Sequence, residues 1–119
     1  MSIVYLGEKI GVSIADFSTG DYFVTELSSG SELIDEINKF VPSEIITNEY
    51  FSMSGIDLTA VNDKLGITMS TLDSWYFDED TCIKKLLTHF KVGVLDGLGL
   101  KDYTAGTIAA GALLLYLYE

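Results

Sequence analysis

Apolar and polar positions alternate with a period of two through the first 27 residues, the spacing of strands with one buried face. Residues 3–6 form a short apolar run and Gly7-Glu8-Lys9 a turn. Residues 9–17 follow as a strand, with Ile10, Val12, Ile14 and Asp16 on one side and Gly11, Ser13, Ala15 and Phe17 on the other. Ser18-Thr19-Gly20-Asp21 is dense in turn formers, and residues 22–27 resume the alternation. Connections this short join antiparallel neighbours, so residues 2–27 predict a three-stranded meander. The period then changes. Leu33, Ile34, Ile37, Phe40 and Val41 recur at three and four, predicting a helix capped by Ser31 and stopped by Pro42. Glu32 and Asp35 in its first turn and Lys39 near its end suit the helix dipole.

Residues 44–47 read as a short buried strand. Leu58, Val61 and Leu65 predict a short helix capped by Asp57 or Ser54 and closed by Gly66, and residues 67–70 suit another strand. Cys82, Ile83, Leu86, Leu87 and Phe90 mark an amphipathic helix with acids at its start and Lys84, Lys85, His89 and Lys91 toward its end. Residues 92–101 form a glycine-rich link. A last, apolar helix runs from about Asp102 to the end, its Ala105, Ala109 and Ala112 forming a stripe that admits close packing. Strands first, then helices interleaved with single strands, predict the α/β class: a mixed sheet covered by helices on its faces.

Composition narrows the picture. A chain of 119 residues makes one domain, and 48% hydrophobic residues with a single Pro exclude a disordered chain. Cys82 is the only cysteine, which excludes a disulfide-stapled scaffold and suits a reducing, cytosolic setting. Eighteen acids against seven bases give a net charge of −11, and every base is a lysine. Phosphate and base recognition lean on clustered cations and on arginine, so direct nucleic-acid binding is not expected; a basic protein partner is. No signal peptide is expected at the start of the chain. Residues 103–118 carry no charge, yet a helix of that length reaches about 24 Å, short of the ~30 Å of a bilayer core. A buried helix is the expectation.

Several residues invite chemistry. Asp16, on a central strand, stands where a two-metal nuclease would hold its first Mg²⁺ ligand, with Glu44, Asp96 and Asp102 as candidate partners. Nothing in their spacing makes them converge, and an aspartate accepting bonds from the Ser18-Thr19-Gly20 turn accounts for Asp16 without a metal. Asp78-Glu79-Asp80 fits the acidic first turn of a helix. Cys82 and His89, two turns apart, are too few for zinc and too distant for a nucleophile pair. Gly97-Leu98-Gly99 lacks the rest of a phosphate loop. Trp75-Tyr76-Phe77 reads as the edge of the core, with an exposed binding patch as the alternative.

The string Gly11-Val12-Ser13-Ile14-Ala15-Asp16-Phe17-Ser18-Thr19-Gly20, continuing through Leu27, resembles the opening of the connector domain (domain II) of the bacterial MutS mismatch-repair family. Residues 33–40 followed by Pro42-Ser43-Glu44-Ile45-Ile46, the Trp75-Tyr76-Phe77-Asp78 element, and Leu95-Asp96-Gly97-Leu98-Gly99-Leu100 with residues 109–119 resemble later blocks of the same domain, in order. Only residues 48–72 are unmarked. The resemblance implies a ribonuclease-H-like three-layer fold: a mixed five-stranded sheet, its first three strands antiparallel, with helices on both faces. It implies a non-catalytic connector spanning residues 1–119, excised from a larger chain. That connector links a mismatch-binding domain to core and ATPase regions, relays conformational state and offers a surface to MutL. It carries no catalytic, cofactor or metal residues, meets DNA only through the parent protein, is cytoplasmic, and self-associates weakly as a fragment. The mismatch-reading Phe-x-Glu motif and the Walker A loop of the family are missing here, so mismatch binding and ATP hydrolysis do not carry over. The alternatives are a Mg²⁺-dependent nuclease built on Asp16 and a stand-alone interaction domain.

Overall fold

A computed structural model describes residues 1–7, 9–16, 21–90 and 104–117, with the side chains of Asp16, Asp21, Tyr22 and Phe90 excepted. The alternation of the first third becomes strands β1 (Ser2–Tyr5), β2 (Ile10–Asp16) and β3 (Asp21–Leu27), paired antiparallel as a meander. Helix α1 (Gly30–Phe40) leads to β4 (Glu44–Thr47), α2 (Thr59–Leu65) to β5 (Thr68–Thr71), and α3 (Glu79–Phe90) and α4 (Thr104–Leu117) complete the fold. The sheet order is β3-β2-β1-β4-β5. β4 lies parallel to β1, and β5 parallel to β4, because α1 and α2 carry the chain back across the sheet before each strand.

Period-two alternation divides the sheet into two unlike faces. Ile3, Ile10, Val12, Ile14, Leu27 and Ile45 point to one side, where they bury Leu33 and Ile37 of α1 and the chain around α2. On the other side lie small residues, Ser2, Gly11 and Ser13, together with Val4. Helix α4 presses onto this second face, and every residue from Ala105 to Leu114 is buried. A methyl group added at Gly11 would overlap the carbonyl of Ala105, and one at Gly111 would overlap Cys82 of α3. Glycine at both positions is therefore what lets sheet, α4 and α3 stack at backbone distance. The Glu26 carboxylate accepts the Gly106 N–H at 2.9 Å, fixing the first turn of α4 to β3.

The ends of α1 differ from the sequence expectation. Ser29, not Ser31, is the cap: its backbone is extended and its hydroxyl accepts the Glu32 N–H at 3.2 Å. Ser29-x-x-Glu32 has the spacing of a capping box, and here the Glu32 carboxylate accepts from the Ser29 hydroxyl at 3.3 Å. At the other end Val41 adopts the left-handed conformation (φ 45°), unusual for a β-branched residue, before Pro42 turns the chain into β4. Asp57 is not the cap of α2, which is Leu58 without a side-chain bond; it stands one residue earlier and accepts the Thr59 N–H at 2.9 Å, while Gly66 closes that helix with φ 70° as expected. Ser54 does not cap; its hydroxyl holds a turn, accepting the Ile56 N–H at 3.1 Å. The predicted link over residues 92–101 lies outside the described residues.

Candidate functional site

Because β1, β4 and β5 run parallel, their C-terminal ends share one edge of the sheet. Leu6 follows β1 there, a 3₁₀ turn over Glu49–Met53 follows β4, and a second over Ser74–Phe77 follows β5. The first turn is pinned by Asn48. Its side-chain oxygen accepts the Tyr5 N–H and its amide donates to the Tyr5 carbonyl, both at 3.0 Å, so the side chain stands in for one more residue of strand pairing. Phe51 is buried in the main core beneath, while Tyr50 and Met53 face outward, 63% and 76% exposed. In the second turn Tyr76 is buried and Phe77 packs against the cluster that includes Val4, Cys82 and Ile108. Trp75 is 53% exposed and stacks on Tyr76, ring centroids 3.9 Å apart. The core-edge expectation thus fits Tyr76 and Phe77 but fails for Trp75: a short 3₁₀ turn points consecutive residues in different directions, so only part of the triplet reaches the core.

The opposite end of the sheet holds a cleft of about 590 Å³ whose lining includes Met1, Phe23, Phe40, Glu44, Leu113 and Tyr116. Glu44 organises it. Its carbonyl accepts a bond from the Met1 amine at 2.8 Å, and its carboxylate accepts the Tyr116 hydroxyl at 2.9 Å. Phe23 and Phe40 meet as a tilted pair 5.4 Å apart.

The carboxylates singled out in the sequence do not assemble. Asp16 ends β2 opposite Asp21, but its side chain, like Asp96 and Asp102, lies outside the described residues. Glu44 is engaged by Tyr116. Among the described residues no three His, Cys, Asp or Glu groups stand close enough to hold a metal ion. Asp78 caps α3: its Oδ2 accepts the Thr81 hydroxyl at 2.7 Å and the Thr81 N–H at 3.0 Å, and these bonds hold the carboxyl below its ordinary range. Cys82 is fully buried and donates to the Tyr76 carbonyl at 3.2 Å, whereas His89 is exposed, so the two form no pair. Burial, reinforced by the nearby Asp78 and Glu79, pushes the thiol up to about 12. No helix among the described residues is long and apolar enough to cross a membrane.

Fold and site together define an α/β domain with a mixed five-stranded sheet and exposed apolar side chains at both ends of its strands. The family model described as MutS domain II matches residues 1–119, and the chain belongs to that family. It is 48% identical over 119 residues to the DNA mismatch repair protein MutS of Lachnoclostridium phytofermentans, covering all of this chain and 13% of that protein. It is 35% identical over 120 residues to the MutS of Chlamydia pneumoniae, covering all of this chain and 14% of the relative. The MutS of Protochlamydia amoebophila is 35% identical over 119 residues, 99% of this chain and 14% of that one. The chain thus spans about one-seventh of the length of the curated relatives it matches.

Proposed function

We propose that this domain is a non-catalytic connector of a bacterial, cytoplasmic mismatch-repair protein. It joins a mismatch-binding domain to the core and ATPase regions, relays their conformational state and docks MutL; DNA is met only through those other regions. The match to MutS domain II along all 119 residues is the observation that carries this reading. The fold takes the ribonuclease-H-like form, a label supported by the β3-β2-β1-β4-β5 order with its antiparallel first three strands.

The test uses the purified chain. It should bind purified MutL, show no DNA affinity at physiological salt, and cleave no nucleic acid when Mg²⁺ is added. Strong DNA binding with no MutL contact would overturn the connector reading. Mg²⁺-dependent cleavage abolished by Asp16→Asn would replace it with a nuclease.

A further inference from the structure

Two buried hydroxyls beneath α4 are left unanswered. Ser2 on β1 and Ser13 on β2 are both 0% exposed, and neither Oγ meets a hydrogen-bond partner among the described residues. Buried polar side chains nearly always bond to protein or to an ordered water, so each of these hydroxyls calls for a partner. The two are also neighbours. Ser2 pairs with Ser13 in the antiparallel register of β1 and β2. Directly opposed residues on one face hold their Cβ atoms about 4.5–5.5 Å apart.

That spacing suits a bridge. The hydroxyls do not bond each other, yet one water oxygen between them reaches both at about 2.8 Å. Each hydroxyl can donate or accept, so a water that donates to one and accepts from the other satisfies both. The seam around them is made of small residues. Gly11 precedes Ser13 on the same side of β2, and Ala105, Gly106, Ala109 and Ala110 lie along α4, which packs on both strands. Alanine would fill a seat of this size without an unmet hydroxyl, and strand interiors favour Val and Ile. Serine on both sides of one pair makes sense when the hydroxyls have something to hold.

The place matters for α4. This apolar helix is fastened near its ends by side chains, Glu26 accepting the Gly106 N–H and Glu44 accepting the Tyr116 hydroxyl. Ser2 and Ser13 lie on the sheet between those fastenings. Ser13 is two residues along β2 from Gly11, which abuts Ala105, and Ser2 lies opposite Ile46, two residues along β4 from Glu44. We propose that a single water molecule is bound there, bridging Ser2 Oγ and Ser13 Oγ under α4 as an internal ligand of the domain. Water is the ligand class that two neutral hydroxyls in an otherwise apolar seam accept; an ion would lack a compensating charge.

Two measurements on the purified chain test the site. Magnetic relaxation dispersion of water oxygen counts molecules held inside a protein in solution. It should find one fewer in Ser2→Ala, in Ser13→Ala and in the double variant than in the parent. Urea midpoints should fall in each single variant, and the double variant should lose less than the sum, because the first substitution already releases the water. Hydroxyls with no partner at all predict the reverse: each alanine raises the midpoint, the effects add, and the water count stays the same. Hydroxyls that bond each other directly predict lowered, non-additive midpoints with the count again the same. An unchanged count therefore overturns the proposal whatever the midpoints do, and raised midpoints overturn it as well.

Discussion

Cys82 shows how a single side chain is disarmed by its surroundings. Its sulfur is buried between α3 and α4, donates to the Tyr76 carbonyl, and lies near Asp78 and Glu79, all of which oppose a thiolate. In the native protein it should react with a disulfide reagent only as fast as the chain unfolds, and at once in denaturant; rapid native labelling would contradict the packing described. The same environment has a pH consequence. An unfolded chain releases this proton near 9, the folded chain only near 12. Over that window the folded state holds more protons, so stability falls as pH rises, by at most about 1.4 kcal/mol per unit. Urea midpoints of the parent and Cys82→Ala should diverge in slope above pH 9 and run parallel below it.

At the scale of elements, the second face of the sheet depends on missing side chains. Gly11→Ala places a methyl group against the Ala105 carbonyl, and backbone cannot step aside as a flexible side chain does. The substitution should destabilise the domain by about 1–3 kcal/mol, read as a lower urea midpoint. Strand β2 was legible in the sequence because Ile10, Val12 and Ile14 alternate with small residues, and β3 because its alternation resumes after the turn formers, each over seven residues. α1 was legible for the same reason, yet its cap was not. Ser29 and Ser31 are equally good in type, and the choice fell to the backbone, where Ser29 is extended and Gly30 already helical. α4 carries no polar face to mark an orientation, so the sequence revealed its burial but not that it crosses Gly11. The exposed edge was the least legible part. Nothing local distinguishes Trp75 from Tyr76; only the parallel placement of β5, a long-range property, brings Leu6, Tyr50 and Trp75 to the same end. The role of Asn48 was equally hidden, because its partner Tyr5 lies 43 residues earlier.

The molecule as a whole carries eighteen acids and seven lysines, so compaction works against its own charge. Raising sodium chloride from a few millimolar to about 150 mM shortens the screening length to about 8 Å and should raise the thermal midpoint. A midpoint unmoved or lowered by salt would mean that attractive pairs outweigh the net repulsion. Elsewhere the architecture keeps its two ends distinct: the exposed Tyr50, Met53 and Trp75 at one extremity of the strands, the cleft around Glu44 at the other. Glu44 receives a bond from Met1 through its carbonyl and from Tyr116 through its carboxylate. One residue of β4 thus ties together the start of β1 and the end of α4, positions 115 residues apart in the chain.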